Sequence, residues 1–494
     1  MSPPRVIAVA ALGFAVALLA CAVNPVSRRP EFVVISRETE QKLGEEEAAK
    51  VEQELGIVSE AELAAYVARV GARLVEHSPR KDVDYRFLVV DADLINAFAL
   101  PSGHVYVTRG LLARLNSEDE LANVIGHEIG HVAARHAVQR VTRAAPLAVA
   151  TGIPAAAVGL VLPRLGRGLG TLGQFAGSLA LAPYSRSQES ESDRLGQEMA
   201  AAAGWDPMGL PAFMHTLQRE ERLSGASGPP SFLRTHPLTA ERDKDGEAYG
   251  KKLERAEARP VAGGHAEFLA KLDGLLVGEN PAEGIFREAA FLQPDLDLWL
   301  KLPEKWTFVN GRDFVAAQSP DEAARIVLQI AAEGDDVLGV AREFAQGDGA
   351  GFGLLPKEVK LGRMPMARAY GRSGGATLDV SWIAYGGHVY QVTGVCKNGD
   401  YDAYQTPFID VALSLRSLTP EERASITEDR LRIIRARKGE ALAGLIDRTK
   451  SRWSTDQAAV ANALEADASL GDGQRIKVPI VERYVGATSP SPSP

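Results

Sequence analysis

The chain has 494 residues, 45% hydrophobic and 24% charged, an ordinary globular composition with length for roughly two to four domains. Its formal charge of −9 argues against a nucleic-acid partner, which calls for a basic surface. The two cysteines, Cys21 and Cys396, exclude a cysteine-built metal cage and leave no pair for an internal disulfide once the N-terminus is processed.

Residues 1–20 read as a signal peptide: Arg5 precedes an apolar run from Val6 to Ala20, and a break follows at Asn24-Pro25. Leu18-Leu19-Ala20-Cys21 resembles a bacterial lipobox, which makes Cys21 the expected lipidation site. Ala22 rather than Asp follows it, which by bacterial sorting rules favours the outer membrane. Cleavage at Ala20-Cys21-Ala22, or an uncleaved N-terminal anchor, are the alternatives, and each leaves the body of the chain outside the cytoplasm. Residues 21–35, with Pro25 and Pro30, read as a tether.

Ser36 to Leu55 is predicted to form a charged helix. A second helix is expected from Ser59, with Ser59 and Glu62 as a capping box and Leu63, Tyr66, Val67, Val70 and Leu74 as its buried face. Tyr85 to Val90, Ile95 to Leu100 and His104 to Thr108 read as strands, the last two joined by the turn Pro101-Ser102-Gly103. Ser117 and Glu120 form another capping box, and the helix they open runs into His127-Glu128-Ile129-Gly130-His131. This is an H-E-x-x-H motif. On a helix, residues four apart share a face, so His127 and His131 can aim at one metal ion while Glu128 stands ready to take a proton from an attacking water.

Two histidines leave a third ligand to be found. His136 falls about half a turn away from His127 on a continuous helix and reads as an ordinary polar residue. Glu189 and Asp193 lie four apart on the predicted helix Ser187 to Ala203, with Glu191 pointing away; one acid could bind the metal while the other orients a ligating histidine. His236, in a loop before Pro237, is suited to reach a transition state. Ala144 to Leu162 is apolar but broken by Pro146, Gly152, Pro154 and Gly159, so a hydrophobic hairpin or lid is expected there rather than a membrane span.

Asn96 to Val105, Thr108 to Leu112, the H-E-x-x-H helix, Ser185-Arg186 with Glu189 and Asp193, and His236-Pro237 with Arg242 occur in the order found in the HtpX- and BepA-like zinc endopeptidases, which are related to the CAAX prenyl endopeptidases. The chain resembles that family over about half its length. Ser102 stands where glycine is usual and Ser192 where alanine is usual. The resemblance implies one Zn2+ per chain on His127, His131 and Glu189, with Glu128 as general base and Asp193 and Arg242 supporting the ligands. It also implies that His236 approaches the metal, either to stabilise an oxyanion or to occupy the open position. Asn96, Ala97, Phe98 and Ala99 are expected to offer a strand edge to an extended polypeptide substrate.

The expected fold class is α+β: a mainly helical gluzincin metallopeptidase domain over 36–255 with a small β-sheet, followed by two modules. Residues 256–296 read as a connection and 297–420 as an α+β accessory domain, with strands at Val327 to Ile330, Leu378 to Ile383 and His388 to Val392. Residues 428–482 have β–α–α–β character and weakly resemble a LysM-like module, implying peptidoglycan or envelope-protein contact. The usual Asp-Thr after Gly439 is missing, and the competing reading is a domain that only packs against the peptidase. Residues 485–494 read as a disordered Ser/Pro tail. The functional expectation is a lipid-anchored zinc endopeptidase on the periplasmic side of the envelope, acting in protein quality control. The alternative is a latent peptidase that works as a chaperone or assembly factor.

Overall fold

A computed structural model describes residues 21–28, 30–32, 35–140, 142, 183–224, 231–257 and 260–486. The expected signal peptide (1–20), the apolar stretch Ala144 to Leu162 and residues 487–494 of the expected tail lie outside the described residues. The described residues divide into two compact units, one of those within 21–142, 183–278 and 429–481, the other of those within 279–428 and 482–486.

In the first unit, strand β1 (Cys21–Val23) pairs antiparallel with β2 (Pro30–Phe32). Helix α1 (Arg37–Leu55) is capped by Ser36, whose side chain accepts from the Thr39 N–H. Helix α2 (Ala61–Val75) buries Leu63, Tyr66, Val67, Val70 and Leu74, the face its periodicity gives it. The capping box at Ser59 does not form. Ile57 bridges to Val90 and the Val58 N–H donates to the Val89 carbonyl, which keeps the chain extended up to Glu60, and the helix starts without a side-chain cap.

Strands β3 (Arg86–Val90), β4 (Ala97–Ala99) and β5 (His104–Thr108) form a sheet ordered β3-β5-β4, with β3 parallel and β4 antiparallel to β5. The hairpin turns through Gly103 at φ +95°, where a Cβ would stand 2.4 Å from the Val83 side chain. A short helix α3 (Arg109–Leu112) follows, then α4 (Glu118–Ala133), in which every residue except Asp119 is buried. Ser117 accepts from the Glu120 N–H as expected, but the Glu120 carboxylate closes on the Asn116 N–H instead of that of Ser117. Helix α5 (Arg186–Ala202) opens with a full Ser185–Gln188 capping box and lies against α4. The two backbones meet at glycine: a Cβ on Gly196 would sit 2.7 Å from the His127 nitrogen. Helices α6 (Gly209–Ser224), α7 (Ser231–Thr235), α8 (Ala240–Gly250) and α9 (His265–Leu272) and strand β6 (Leu276–Val277) complete this run.

The second unit starts with a meander of β7 (Ile285–Arg287), β8 (Ala290–Gln293) and β9 (Leu298–Lys301). Seven strands then build an antiparallel sheet: β10 (Thr307–Asn310), β11 (Phe314–Gln318), β12 (Ala324–Glu333), β13 (Lys357–Val359), β14 (Met366–Ser373), β15 (Ala376–Tyr385) and β16 (His388–Lys397). Their spatial order is β10-β11-β12-β16-β15-β14-β13. Helix α10 (Val337–Gln346) covers a cluster around Trp382, and α11 (Tyr401–Ser414) lays Phe408 over Gly394. Helix α12 (Pro420–Ala424) leads out of the unit.

The chain then returns to the first unit through β17 (Thr427–Arg435), α13 (Leu442–Thr449), α14 (Thr455–Ala461) and β18 (Arg475–Arg483). β17 lies between β18 and β6. Leu445, Trp453, Ala459 and Val478 share one apolar core with Leu111, Leu121, Phe213 and Leu217. Lys477 is fully buried there, and its ammonium donates to the carbonyls of Ala113 and Leu115. The fold is thus mixed: a helical domain carrying H-E-x-x-H, with several separate β-sheets.

Candidate metal centre

Helix α4 delivers His127, Glu128 and His131, α5 delivers Glu189 and Asp193, and the turn after α7 delivers His236. One nitrogen or carboxylate oxygen from each of His127, His131, Glu189 and His236 lies within 4.8 Å of the others, and all four residues are buried. The two Nε2 atoms of His127 and His131 are 3.0 Å apart, and Glu189 Oε1 is 3.3 Å from that of His131. His236 Nδ1 is 3.1 Å from both His127 Nε2 and Glu189 Oε1, while its Nε2 is 3.4 Å from Glu128 Oε1.

This arrangement fits a cation. Two imidazole nitrogens 3.0 Å apart must share either a proton or a cation, and among the described residues both Glu128 oxygens are buried without a hydrogen bond. Two imidazoles and a carboxylate are a donor set suited to a first-row divalent metal. Burial pushes the His131 imidazole well below its ordinary pKa, which keeps it neutral as a ligand must be. Burial also raises the Glu128 carboxyl, against the pull of His236 and His127. Burial alone would raise Glu189, but His236 and His131 hold it well below the usual carboxylate range. His236 is the reverse case: burial would lower it, yet Glu189 and Glu128 keep it raised.

Each histidine of α4 is braced from behind. Asp193 Oδ1 lies 2.9 Å from His127 Nδ1, a close contact although angled away from an ideal hydrogen bond. Arg242 grips Asp193 with two bonds of 2.7 Å, reaches Glu189 Oε2 at 2.7 Å and donates to the Pro237 carbonyl. His131 Nδ1 lies 2.9 Å from His136 Nδ1, and His136 Nε2 lies 3.1 Å from Glu191 Oε2.

His136 and Glu191 therefore correct the sequence reading. His136 is not an ordinary polar helix residue but a fully buried partner of His131, and Glu191 does not point away. The continuous helix assumed for residue 136 ends at Ala133. Arg135 turns the chain at φ +57°, held there by two bonds from its guanidinium to Glu40. Sequence reasoning also misses Tyr184, whose ring stacks on His131 at 3.8 Å between centroids. No local signal marks it, because the contact joins residues 53 positions apart in the chain.

Ala97, Phe98 and Ala99 form β4 and Asn96 directly precedes it; among the described residues β4 has a strand partner on one side only. All four are buried. The Phe232 N–H donates to the Ile95 carbonyl at the start of this edge, and Asn96 Nδ2 is buried with no hydrogen-bond partner among the described residues. Cys21 opens β1. No helix among the described residues is long and apolar enough to cross a membrane.

A buried H-E-x-x-H helix crossed by a second helix bearing a glutamate defines the class as a gluzincin-like metallopeptidase site. Residues 61–246 match the family model described as Peptidase family M48, and the chain carries an M48-type metalloendopeptidase domain resembling the HtpX and BepA group. The chain is 30% identical over 210 residues to the beta-barrel assembly-enhancing protease of Escherichia coli (strain K12), covering 42% of each chain. It is 28% identical over 242 residues to the protein of that name from Yersinia pestis, covering 48% of this chain and 49% of that one. It is 32% identical over 227 residues to the mitochondrial metalloendopeptidase OMA1 of Bos taurus, covering 44% of this chain and 43% of that one. The chain thus spans less than half the length of these relatives.

Proposed function

We propose that this protein is a zinc-dependent metalloendopeptidase that hydrolyses peptide bonds of unfolded or misassembled proteins of the bacterial envelope. The observation that carries the reading is the convergence of His127, His131 and Glu189 on one point, with the Glu128 carboxylate beside them. His127, His131 and Glu189 would hold the zinc. Bound there, zinc supplies Lewis acidity for a peptide carbonyl and for water. Glu128 takes the proton of the attacking water and returns it to the leaving amine, a task its raised pKa suits. His236 donates a hydrogen bond to the developing oxyanion. Arg242 fixes Asp193, which in turn fixes His127. The edge of β4 receives the substrate as an added strand, a mode that reads extended conformation more than sequence.

A second reading, a latent peptidase serving mainly as a chaperone or assembly factor, is favoured by one observation. His236 contacts His127, Glu189 and Glu128 together, and the four candidate groups are sealed from solvent. Anchoring through a lipid on Cys21 at the outer membrane belongs to this proposal. So does envelope contact through the LysM-like segment 428–482, whose helix α13 exposes Ala443, Gly444, Asp447 and Arg448. The relatives named for β-barrel assembly support an envelope setting.

The test is cleavage of an unfolded protein by the wild type and by the Glu128→Gln and His236→Ala variants, with zinc content measured in each. We expect Glu128→Gln to retain zinc and lose at least about a hundredfold in rate, the scale of a general base. Equal cleavage by wild type and Glu128→Gln would sink the enzyme reading. A faster His236→Ala would favour latency.

A further inference from the structure

We infer that His136 and Glu191 form a positioning relay behind His131, one that fixes which ring nitrogen of His131 carries its proton and so sets the affinity of the centre for its metal. The inference rests on the metal reading above.

Ligation through His131 Nε2 leaves one arrangement of the ring protons. His131 Nε2 faces His127 Nε2 at 3.0 Å and Glu189 Oε1 at 3.3 Å, so this nitrogen must offer a lone pair if the residue is to ligate. Its proton then sits on Nδ1, which lies 2.9 Å from His136 Nδ1. His136 Nδ1 must accept, so the His136 proton sits on Nε2 and points to Glu191 Oε2 at 3.1 Å. Ser192 Oγ, 3.4 Å from the same His136 Nδ1, is a second and longer donor to it. The chain of donors runs one way, from ligand to imidazole to carboxylate.

The two arms of the centre differ in kind. His127 leans directly on a carboxylate, Asp193, which Arg242 neutralises in full burial. His131 leans on a second imidazole rather than a carboxylate, and the carboxylate behind that is partly exposed, with 27% of its side-chain surface accessible. A ring held by stacking alone can spin about its χ2 axis; Tyr184 stacks on the face of His131 but gives no preference between its two nitrogens. His136 supplies that preference. The chain turns at Arg135, at φ +57°, between His131 and His136, and their rings meet edge to face with centroids 5.0 Å apart.

The experiment is a zinc competition against a fluorescent chelator, on the full chain, for wild type, His136→Phe, His136→Gln and Glu191→Ala, with thermal melting of each metal-free protein alongside. Phenylalanine keeps the ring and loses both hydrogen bonds, whereas glutamine can still accept from His131 and donate toward Glu191. We expect His136→Phe to bind zinc roughly 10- to 100-fold more weakly, the usual scale for loss of a partner behind a ligand. His136→Gln should recover most of that loss, and Glu191→Ala should fall between. Should His136→Phe fail to fold, Glu191→Ala carries the test, since its side chain reaches solvent; wild-type affinity in that variant overturns the relay. Unchanged affinity in a folded His136→Phe, or an equal loss in His136→Gln, also overturns it. Wild-type protein that binds no zinc would instead defeat the metal reading itself, and slow cleavage with normal zinc affinity would touch only the proposed activity.

Discussion

Asp193 and Glu189 enter the centre as carboxylates almost without water, and one guanidinium answers both. Removing a single partner from such a buried group costs far more than the pair contributes, because the remaining charge has no solvent to turn to. Arg242→Ala should therefore lower the stability of the metal-free first unit by about 3–5 kcal/mol, measured by urea unfolding. Arg242→Lys should lose part of this, since a point charge cannot grip Asp193 with two parallel bonds. The pH dependence follows from the same contact. Burial would raise the Asp193 carboxyl, but His127 and Arg242 hold it below its ordinary value. A depressed carboxylate adds stability that is present above its ordinary pKa and lost as pH falls through the depressed one. The wild type should lose this increment in the acid range, and the Arg242→Ala curve should be flatter there. An identical acid slope in both proteins would show that Asp193 draws nothing from Arg242.

At the scale of elements, the distance between α4 and α5 decides whether Glu189 can meet the two histidines, and glycine sets that distance. Alanine in a helix is ordinarily about 1 kcal/mol better than glycine, so Gly196→Ala on a free helix would stabilise. Here the new Cβ would meet the His127 nitrogen at 2.7 Å and the Gly126 carbonyl carbon at 3.0 Å, both rigid backbone of the opposite helix. Overpacking of this kind costs about 1–3 kcal/mol and outweighs the propensity gain. Gly196→Ala should unfold at lower urea and bind zinc more weakly than wild type, since Glu189 is carried away with α5. A gain in stability would mean that the helices have room to spare. The same scale explains what the sequence disclosed. Helical spacing is local, so it could put His127 and His131 on one face behind the Ser117 cap, and Glu189 and Asp193 on another; what joined the two helices was the resemblance to a known family. His136 could not be placed, because the chain leaves the helix at an arginine, with neither glycine nor proline to announce it. Ser59 misled for a related reason: its capping pattern was overridden by pairing of Ile57 and Val58 with β3.

Over the whole molecule, the least legible feature was the return of the C-terminal segment to the H-E-x-x-H unit. Its β–α–α–β pattern could be read from the sequence, but Lys477 gives no local sign that it will be buried against Ala113, 364 residues earlier in the chain. Burial pushes its amine down, which the Glu120 carboxylate opposes, and burial pushes the Glu120 carboxyl up, which the Asn116 N–H and then Lys477 oppose. Around them Arg114 lies over the Trp453 ring at 4.7 Å, and the Arg219 guanidinium donates to the Leu464 carbonyl. If this contact is structural, Lys477→Met should destabilise the first unit by about 3–5 kcal/mol, leaving Glu120 without a cation and the carbonyls of Ala113 and Leu115 without a donor. The double variant Lys477→Met/Glu120→Gln should regain part of the loss, because no charge is then stranded and the amide oxygen introduced in place of the carboxylate can still accept from the Asn116 N–H. A double-mutant cycle on urea midpoints measures that coupling. A separable module predicts something different: Lys477→Met would soften only the melting of residues 429–481, while hydrogen exchange in α4 stayed at its wild-type rate. We expect exchange in α4 to rise together with that in β18, because Lys477 ties the end of α3, and the Ser117 cap that follows it, to the strand that closes the chain.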